Sequence, residues 1–207
     1  MQTDDFVRRW PFCYHVTFTP NIARIREAGM LYAAQTLLRS AGHPALRHRR
    51  EADMTIRIDD RSVVLRNQRA LDPCALALPA DCSLGDYIAF LNERAYFWPG
   101  TASGPVDDAL RLWASHAAGD PPAVVRVPSL WLVDANGDAA LQVADCNTGA
   151  SWMEGGRKAY RAPRRCRHVV DFSGDPEAVN EVSFRHAVRL PRSTQVAASC
   201  RGGWVAL

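Results

Sequence analysis

The stretch that decides the fold reads Tyr14-His15-Val16-Thr17, Asn21-Ile22, Ile25 and Gly29-Met30-Leu31. It predicts a strand that ends in a polar pair, followed by a short helix and a turn. Thr19 can cap this helix, Pro20 suits its first position, and Gly29 can take the left-handed conformation that ends it. A histidine and a threonine at a strand end, beside a helix N-terminus, can together bind a ribose and a pyrophosphate.

Length and composition favour one compact domain over residues 1–207. The chain has 207 residues and 47% apolar composition, which is enough to bury a core. No window contains the roughly 18 apolar residues of a membrane helix, so we expect a cytoplasmic protein with no membrane partner. The six cysteines form no Cys-x-x-Cys pair. This absence favours reduced thiols and predicts no metal site.

The basic residues are unevenly placed. The formal net charge is +3, which by itself identifies no nucleic-acid-binding protein. Residues 157–201 hold ten basic and four acidic residues, so this segment carries +6 against −3 for the rest. It predicts a surface that can attract a polyanion.

Residue periodicity predicts an α+β fold with a mostly antiparallel, split sheet. Residues 54–58 and 62–66 form a predicted hairpin, and Ser83 with Asp86 predicts a capping box for a helix that reaches Asn92. Residues 145–167 predict either an active-site loop or a mobile flap. The other predicted elements are helices over 31–38 and 106–118, a strand over 95–98 ended by Pro99-Gly100, and strands over 123–127, 130–133, 141–143, 179–188 and 194–198.

Glu181 is the candidate catalytic residue. It lies in Asn180-Glu181-Val182-Ser183-Phe184, which follows the turn at Pro176 and enters a predicted strand. A carboxylate held rigidly on a strand can stabilise the oxocarbenium-like charge that develops when a bond to a ribose breaks. The alternative is a surface glutamate at a strand edge.

The order His-x-Thr, Asn, Ile, Gly-x-Leu, with Asn-Glu-Val late in the chain, resembles the ADP-ribosyltransferase superfamily, particularly its DarT-like branch and bacterial relatives. The resemblance implies a split, mostly antiparallel sheet with short flanking helices, and NAD as co-substrate. It implies that Glu181 polarises a hydroxyl of the nicotinamide ribose. It also implies that His15, Thr17 and Asn21 contact the NAD; a structural histidine is the alternative for His15.

Arg94-Ala95-Tyr96-Phe97-Trp98, with Asn92 before it, resembles the central strand motif of the same families. The resemblance implies that an aromatic ring of this strand stacks on nicotinamide. Tyr96 and Phe97 both remain candidates, because the strand register decides which ring faces the cleft, and core packing is the alternative. Arg66 is the preferred phosphate contact, with a structural salt bridge as its alternative. Asn147-Thr148-Gly149 also matches a polar motif of the relatives.

The resemblance implies an NAD-dependent mono-ADP-ribosyltransferase, and by analogy with the relatives it implies a toxin or phage-conflict role. The acceptor is a nucleic acid, DNA or RNA, or a protein, and an antitoxin is a further candidate partner. The alternatives are an RNA 2′-phosphotransferase or an NAD glycohydrolase on the same fold, and a catalytically inactive nucleic-acid-binding module. The sequence has no Rossmann or Walker glycine motif, which argues against hydride transfer and ATP hydrolysis.

Overall fold

The computed structural model describes residues 1–44, 46–68, 70–106, 121–150, 153–154, 157–200 and 202–207. Within these ranges the fold is α+β, as predicted, with five short helices and a mostly antiparallel sheet. The helices are α1 (Thr3–Arg9), α2 (Ile22–Ala28), α3 (Ala34–Ser40), α4 (Leu84–Asn92) and α5 (Ser129–Asn136). None of these described helices is long and apolar enough to cross a lipid bilayer.

Sixteen strands lie in the described ranges. They are β1 (Phe12–Phe18), β2 (Met30–Tyr32), β3 (Met54–Ile58), β4 (Arg61–Leu65), β5 (Leu76–Ala77), β6 (Arg94–Thr101), β7 (Gly104–Pro105), β8 (Pro122–Pro128), β9 (Gln142–Ala144), β10 (Met153–Glu154), β11 (Arg157–Tyr160), β12 (Arg167–His168), β13 (Glu181–Arg185), β14 (Ala187–Arg189), β15 (Gln195–Ala197) and β16 (Val205–Ala206). The central sheet has the order β12-β9-β13-β6-β1-β8-β15-β16, with β7 also paired to β6.

Strand β6 joins two halves of this sheet. The end of β6 pairs with β1, where Tyr14 lies opposite Trp98, and no register pair between the two strands follows Tyr14. The beginning of β6 pairs with β13, where Val182 lies opposite Phe97 and Arg185 opposite Arg94. Because β1 continues along β8 as far as Phe18, its second half separates from β6. The central sheet therefore divides beside His15.

The two faces of β6 pack differently. Ala95 and Phe97 point into the main core, together with residues of α1, α2 and α5. On the opposite face, Trp98 packs beside Tyr14, and Tyr96 packs against the cluster that includes α4. Since opposed residues of antiparallel strands share a face, Glu181 of β13 lies on the Tyr96 side of the sheet.

Several local predictions are confirmed. Strands β3 and β4 form the predicted hairpin, with positive φ at Asp59 and Asp60 as a two-residue turn requires. The Ser83 hydroxyl accepts a hydrogen bond from the Asp86 N–H at 3.1 Å and caps α4. Gly29 ends α2 with φ of 59°.

Other local predictions are wrong. The predicted strand over 130–133 belongs to helix α5, since a short apolar run does not distinguish a strand from a buried helix. The predicted helix over 31–38 is divided between β2 and α3. Thr19 does not cap α2; its hydroxyl bonds the carbonyl of Pro122. The predicted helix over 106–118 falls almost entirely in residues 107–120, outside the described residues.

Pro99-Gly100 does not end β6, which continues to Thr101. A side chain at Gly100 would lie 2.4 Å from the Gly104 carbonyl oxygen and 2.8 Å from the Tyr14 ring. The glycine therefore serves the close approach of β7 to β6, and no strand break follows from it.

Asn21 connects the β3–β4 hairpin to the central sheet. Its side-chain amide donates to the carbonyl of Val64 at 2.8 Å and accepts from the Val64 N–H at 2.9 Å, as a neighbouring strand would. The same amide donates to the Thr17 hydroxyl at 3.0 Å. Both N–H donors of the Asn21 amide are therefore used inside the protein.

We expect Asn21→Ala to destabilise the fold by about 3 kcal/mol, because two buried backbone groups of Val64 lose their partner. Urea unfolding of the variant and the wild type measures the loss. Asn67→Ala is the matched control, since the Asn67 side chain is exposed. Equal losses in the two variants would contradict the role of Asn21.

Candidate functional site

A cavity of about 210 Å³ lies where the central sheet divides. We call it the split cavity. Its walls come from β1, α2, β2, β4 and β6, with Arg50 from the loop before β3. Five of the predicted site residues line it: His15, Thr17, Asn21, Arg66 and Tyr96. Phe97 and Glu181 do not.

The His15 side chain spans the gap between β1 and β6. Its Nδ1 lies 2.7 Å from the carbonyl oxygen of Tyr96. A carbonyl can only accept, so Nδ1 carries the hydrogen and Nε2 is the acceptor of the neutral ring. Burial lowers the pKa of His15 to about 4, and the nearby Arg66 contributes in the same direction. At neutral pH the imidazole is therefore uncharged.

Thr17 and Asn21 differ in the hydrogen-bonding groups that remain available to a ligand. Asn21 is buried and committed to Val64 and Thr17, so its contribution to the split cavity is to position Thr17 and β4. The Thr17 hydroxyl accepts from Asn21 and can still donate its own hydrogen.

Two arginines lie next to each other in the wall of the split cavity. The Arg50 guanidinium donates to the carbonyl of Arg66 at 2.9 Å and to the Asn92 side chain at 2.5 Å. Burial and the neighbouring Arg66 lower the pKa of Arg50 to about 10. Burial also lowers the pKa of Arg66, and Asp53 partly offsets that effect. Within the described ranges no carboxylate forms an ion pair with Arg50, so its cation suits an anionic ligand.

Arg50 is a site residue that the sequence does not reveal. It ends the run Arg47-His48-Arg49-Arg50, and such a run is typical of a solvated loop. Hydrogen bonds to Arg66, Gln68 and Asn92, between 16 and 42 positions away, bring it to the cavity.

The structure distinguishes the two candidate aromatic rings. Phe97 is fully buried in the main core, where its ring meets Phe184 edge-on. Tyr96 lines the split cavity, and its buried hydroxyl has no hydrogen-bond partner among the residues the structure describes. Trp98, two positions along the same face, also has an unpartnered buried N–H. Of the two candidate rings, Tyr96 is therefore the one whose residue lines the split cavity.

Glu181 is buried, with 6% of its surface exposed. Its carboxylate accepts from the Thr148 N–H at 2.8 Å and from the Thr148 hydroxyl at 2.7 Å. Burial raises the pKa of Glu181 to about 7, although the hydrogen bonds from Thr148 and the charge of Arg161 oppose the increase. A carboxyl group that titrates near neutral pH can act as an acid or as a base.

Tyr96 connects Glu181 to the split cavity. Tyr96 lines the cavity, and burial together with Glu181 raises the pKa of its hydroxyl well above the usual value. In register, Val182 of β13 lies opposite Phe97 on one side of β6, and Tyr14 of β1 lies opposite Trp98 on the other. Two strand spacings, about 10 Å, therefore separate β13 from β1 at this level.

The loop that holds Glu181 is itself held by a buried arginine. Arg161 is fully buried and donates to the carbonyls of Asn147 and Ala150, at 3.2 and 3.1 Å. The motif Asn147-Thr148-Gly149 was visible in the sequence, but its contact with Glu181 was not. The Thr148 donors that contact Glu181 thus lie within the predicted segment 145–167, in which Arg157–Tyr160 and Arg167–His168 form strands and not one irregular loop.

The basic C-terminal segment lies partly on the surface. Arg164 and Arg167 are exposed, whereas Arg165 is paired with Asp145 at 2.6 Å. Among the described residues no group of His, Cys, Asp or Glu has the arrangement of a metal site, and all six cysteines are free thiols.

We expect Glu181→Gln to change how stability depends on pH. Wild-type stability should fall as pH rises from about 4.5 to 7, because the unfolded chain releases a proton that folded Glu181 retains. The variant lacks this group, so its free energy of unfolding should increase relative to that of the wild type by about 3 kcal/mol over that range. Urea unfolding at pH 4.5 and 8 measures it. Glu177→Gln, at an exposed position, is the control; a constant Glu181→Gln difference would contradict the buried titration.

One family model matches most of the chain. It is described as a family of unknown function, DUF7002, and it matches residues 11–193. No curated protein and no solved structure gives a significant match. The matched range includes β1, β6 and β13, and therefore the split cavity and Glu181. The chain belongs to the DUF7002 family.

Proposed function

We propose that this protein is an NAD-dependent mono-ADP-ribosyltransferase. The observation that carries the proposal is the placement of His15 and Glu181 on the two strands that flank β6, where the sheet divides. The partly buried arginines Arg50 and Arg66, which line the same cavity as His15, support it, because a dinucleotide brings a pyrophosphate. The resemblance of the His15 and Glu181 motifs to the ADP-ribosyltransferase superfamily, a split-sheet fold, supports it as well.

In the proposed reaction, the bond between ribose C1′ and the nicotinamide nitrogen breaks, and the electron pair leaves with nicotinamide. Ionised Glu181 stabilises the positive charge that develops on the ribose. A nucleophile of the acceptor then bonds to C1′ and gives its proton to Glu181. Tyr96 is the ring proposed to stack on nicotinamide. This reaction needs the split cavity to extend past Tyr96 to Glu181.

A nucleic acid, DNA or RNA, is the proposed acceptor. Arg164 and Arg167 present exposed cations on the segment that follows β11, and phosphate contacts of this kind orient a polyanion without reading its sequence. A protein acceptor is the alternative. A toxin or phage-conflict role, with an antitoxin as partner, is part of the proposal by analogy with the DarT-like ADP-ribosyltransferases that the motifs resemble.

A second candidate function is a binding module without turnover. The burial of Glu181 and its two hydrogen bonds to Thr148 favour this candidate, because they also suit a structural carboxyl group. Such a module would bind a nucleotide or nucleic acid through its arginines and leave NAD intact.

The deciding experiment incubates the protein with NAD labelled in the adenylate phosphate, and with separate DNA, RNA and protein pools. We expect nicotinamide release with label in one pool, and a loss of about 100-fold or more in Glu181→Gln. Glu177→Gln should keep wild-type turnover. Free ADP-ribose as sole product would indicate a glycohydrolase, and transfer of a phosphate from RNA a 2′-phosphotransferase.

The absence of turnover in the wild type would overturn the proposed transferase. Salt-sensitive nucleic-acid binding by that same protein would then favour the binding module. Wild-type activity in Glu181→Gln would show that another group carries the chemistry.

The two arginines should matter for binding. We expect Arg50→Gln and Arg66→Gln each to weaken the affinity for ADP-ribose by about 10-fold, as the loss of one charge-assisted hydrogen bond predicts. Isothermal titration calorimetry measures the affinity. Arg57→Gln is the control, since the Arg57 side chain is 72% exposed on β3. Unchanged affinity in both variants would contradict a phosphate subsite at this position.

A further inference from the structure

We infer that Thr148 is a positioning residue that orients the Glu181 carboxylate and keeps it ionised for the reaction. The inference rests on the proposed function. It concerns a residue outside the strand motifs, in the loop that follows β9.

Thr148 gives Glu181 two hydrogen bonds from one residue. The backbone N–H reaches Oε2 at 2.8 Å, and the hydroxyl reaches Oε2 at 2.7 Å and Oε1 at 3.3 Å. Both groups act as donors toward an ionised carboxylate, which only accepts. Charge-assisted hydrogen bonds of this kind favour the anion over the neutral acid.

The position of Thr148 is fixed by contacts that do not involve Glu181. The Thr148 carbonyl accepts from the Tyr87 hydroxyl of α4 at 2.9 Å. Arg161 bonds the carbonyls on either side of Thr148, at Asn147 and Ala150. The Gly149 N–H donates to the Asn147 side chain at 3.1 Å, which closes the turn. Thr148 is therefore a rigid donor pair, and a rigid donor pair sets the orientation of a carboxylate.

Other ionisable groups surround Glu181. Arg161 is the cation that favours its charged form. Among the residues that the structure describes, Tyr87, Tyr96, Cys146 and Cys166 also interact with its charge. Burial is the main cause that raises the pKa of each, so all four are neutral at pH 7. Thr148 and Arg161 thus oppose the burial that favours the protonated acid.

The test compares Thr148→Val with Thr148→Ser. Valine keeps the shape and the backbone N–H but removes the hydroxyl, whereas serine keeps both donors. We expect the midpoint of Glu181 titration, followed by NMR of ¹³Cδ-labelled glutamate, to rise by about one pH unit in Thr148→Val, because one charge-assisted hydrogen bond is lost. Thr148→Ser should titrate like the wild type. Glu181→Gln identifies the resonance.

Nicotinamide release should follow the same shift. At pH 6.5 we expect Thr148→Val to lose about 10-fold in kcat and to regain most of it at pH 8.5, since one pH unit corresponds to a tenfold change in the ionised fraction. A merely structural role would lower activity equally at both pH values. Thr55→Val, at an exposed threonine of β3, is the control for the substitution itself.

The outcomes are distinguishable. An unchanged Glu181 midpoint in Thr148→Val overturns the inference, whatever the activity. If the Glu181 midpoint rises in Thr148→Val but the wild type releases no nicotinamide, Thr148 does favour the ionised form of Glu181. The proposed transferase is then rejected, and so is a catalytic role for the contact between Thr148 and Glu181. Should Thr148→Val fail to fold, Thr148→Cys replaces it, because a thiol is a weaker donor and the same direction of shift is expected.

Discussion

The rest of the site depends on the hydrogen bond that His15 donates to the carbonyl of Tyr96. Beyond Tyr14 no register pair joins β1 to β6, so a side chain does there what a neighbouring backbone does elsewhere in a sheet. This bond lets the sheet divide without leaving that carbonyl unpaired. It also fixes the tautomer of His15, and the space that opens beside it is the split cavity.

The two sides of β6 carry opposite charges: arginine cations lie on the β1 side, and the carboxyl group of Glu181 lies on the β13 side. On the β1 side, burial and Arg66 keep His15 neutral, so that the cations in the wall are the arginines and the imidazole offers an acceptor. On the β13 side, burial raises the pKa of a single carboxyl group, Glu181, while Thr148 limits the increase. An anionic ligand is favoured on one side of the strand and a developing positive charge on the other. Tyr96, which lines the cavity and lies near Glu181, is the connection between them.

Membership of DUF7002 supplies no activity, so the proposed function rests on the geometry of the site and on the resemblance of its motifs to the ADP-ribosyltransferase superfamily. The same features support a transferase and a binding module to different degrees. Adjacent, partly buried arginines suit either function, since both functions require an anionic ligand. The raised pKa of Glu181 fits an acid or a base, whereas its burial and the hydrogen bonds from Thr148 suit a structural carboxyl group as well.

The sequence by itself determined the elements whose signals are local. The hairpin around Asp59 and Asp60, the cap at Ser83 and the helix end at Gly29 depend on neighbours within a few positions, and each was predictable. Helix α5 was not, because a short apolar run fits a strand or a helix equally. Only the tertiary structure decided that Phe97 packs into the core and Tyr96 lines the cavity, that Arg50 meets Asn92, and that Thr148 holds Glu181. These outcomes depend on strand register and on contacts between residues far apart in the chain, and residue spacing carries no information about either.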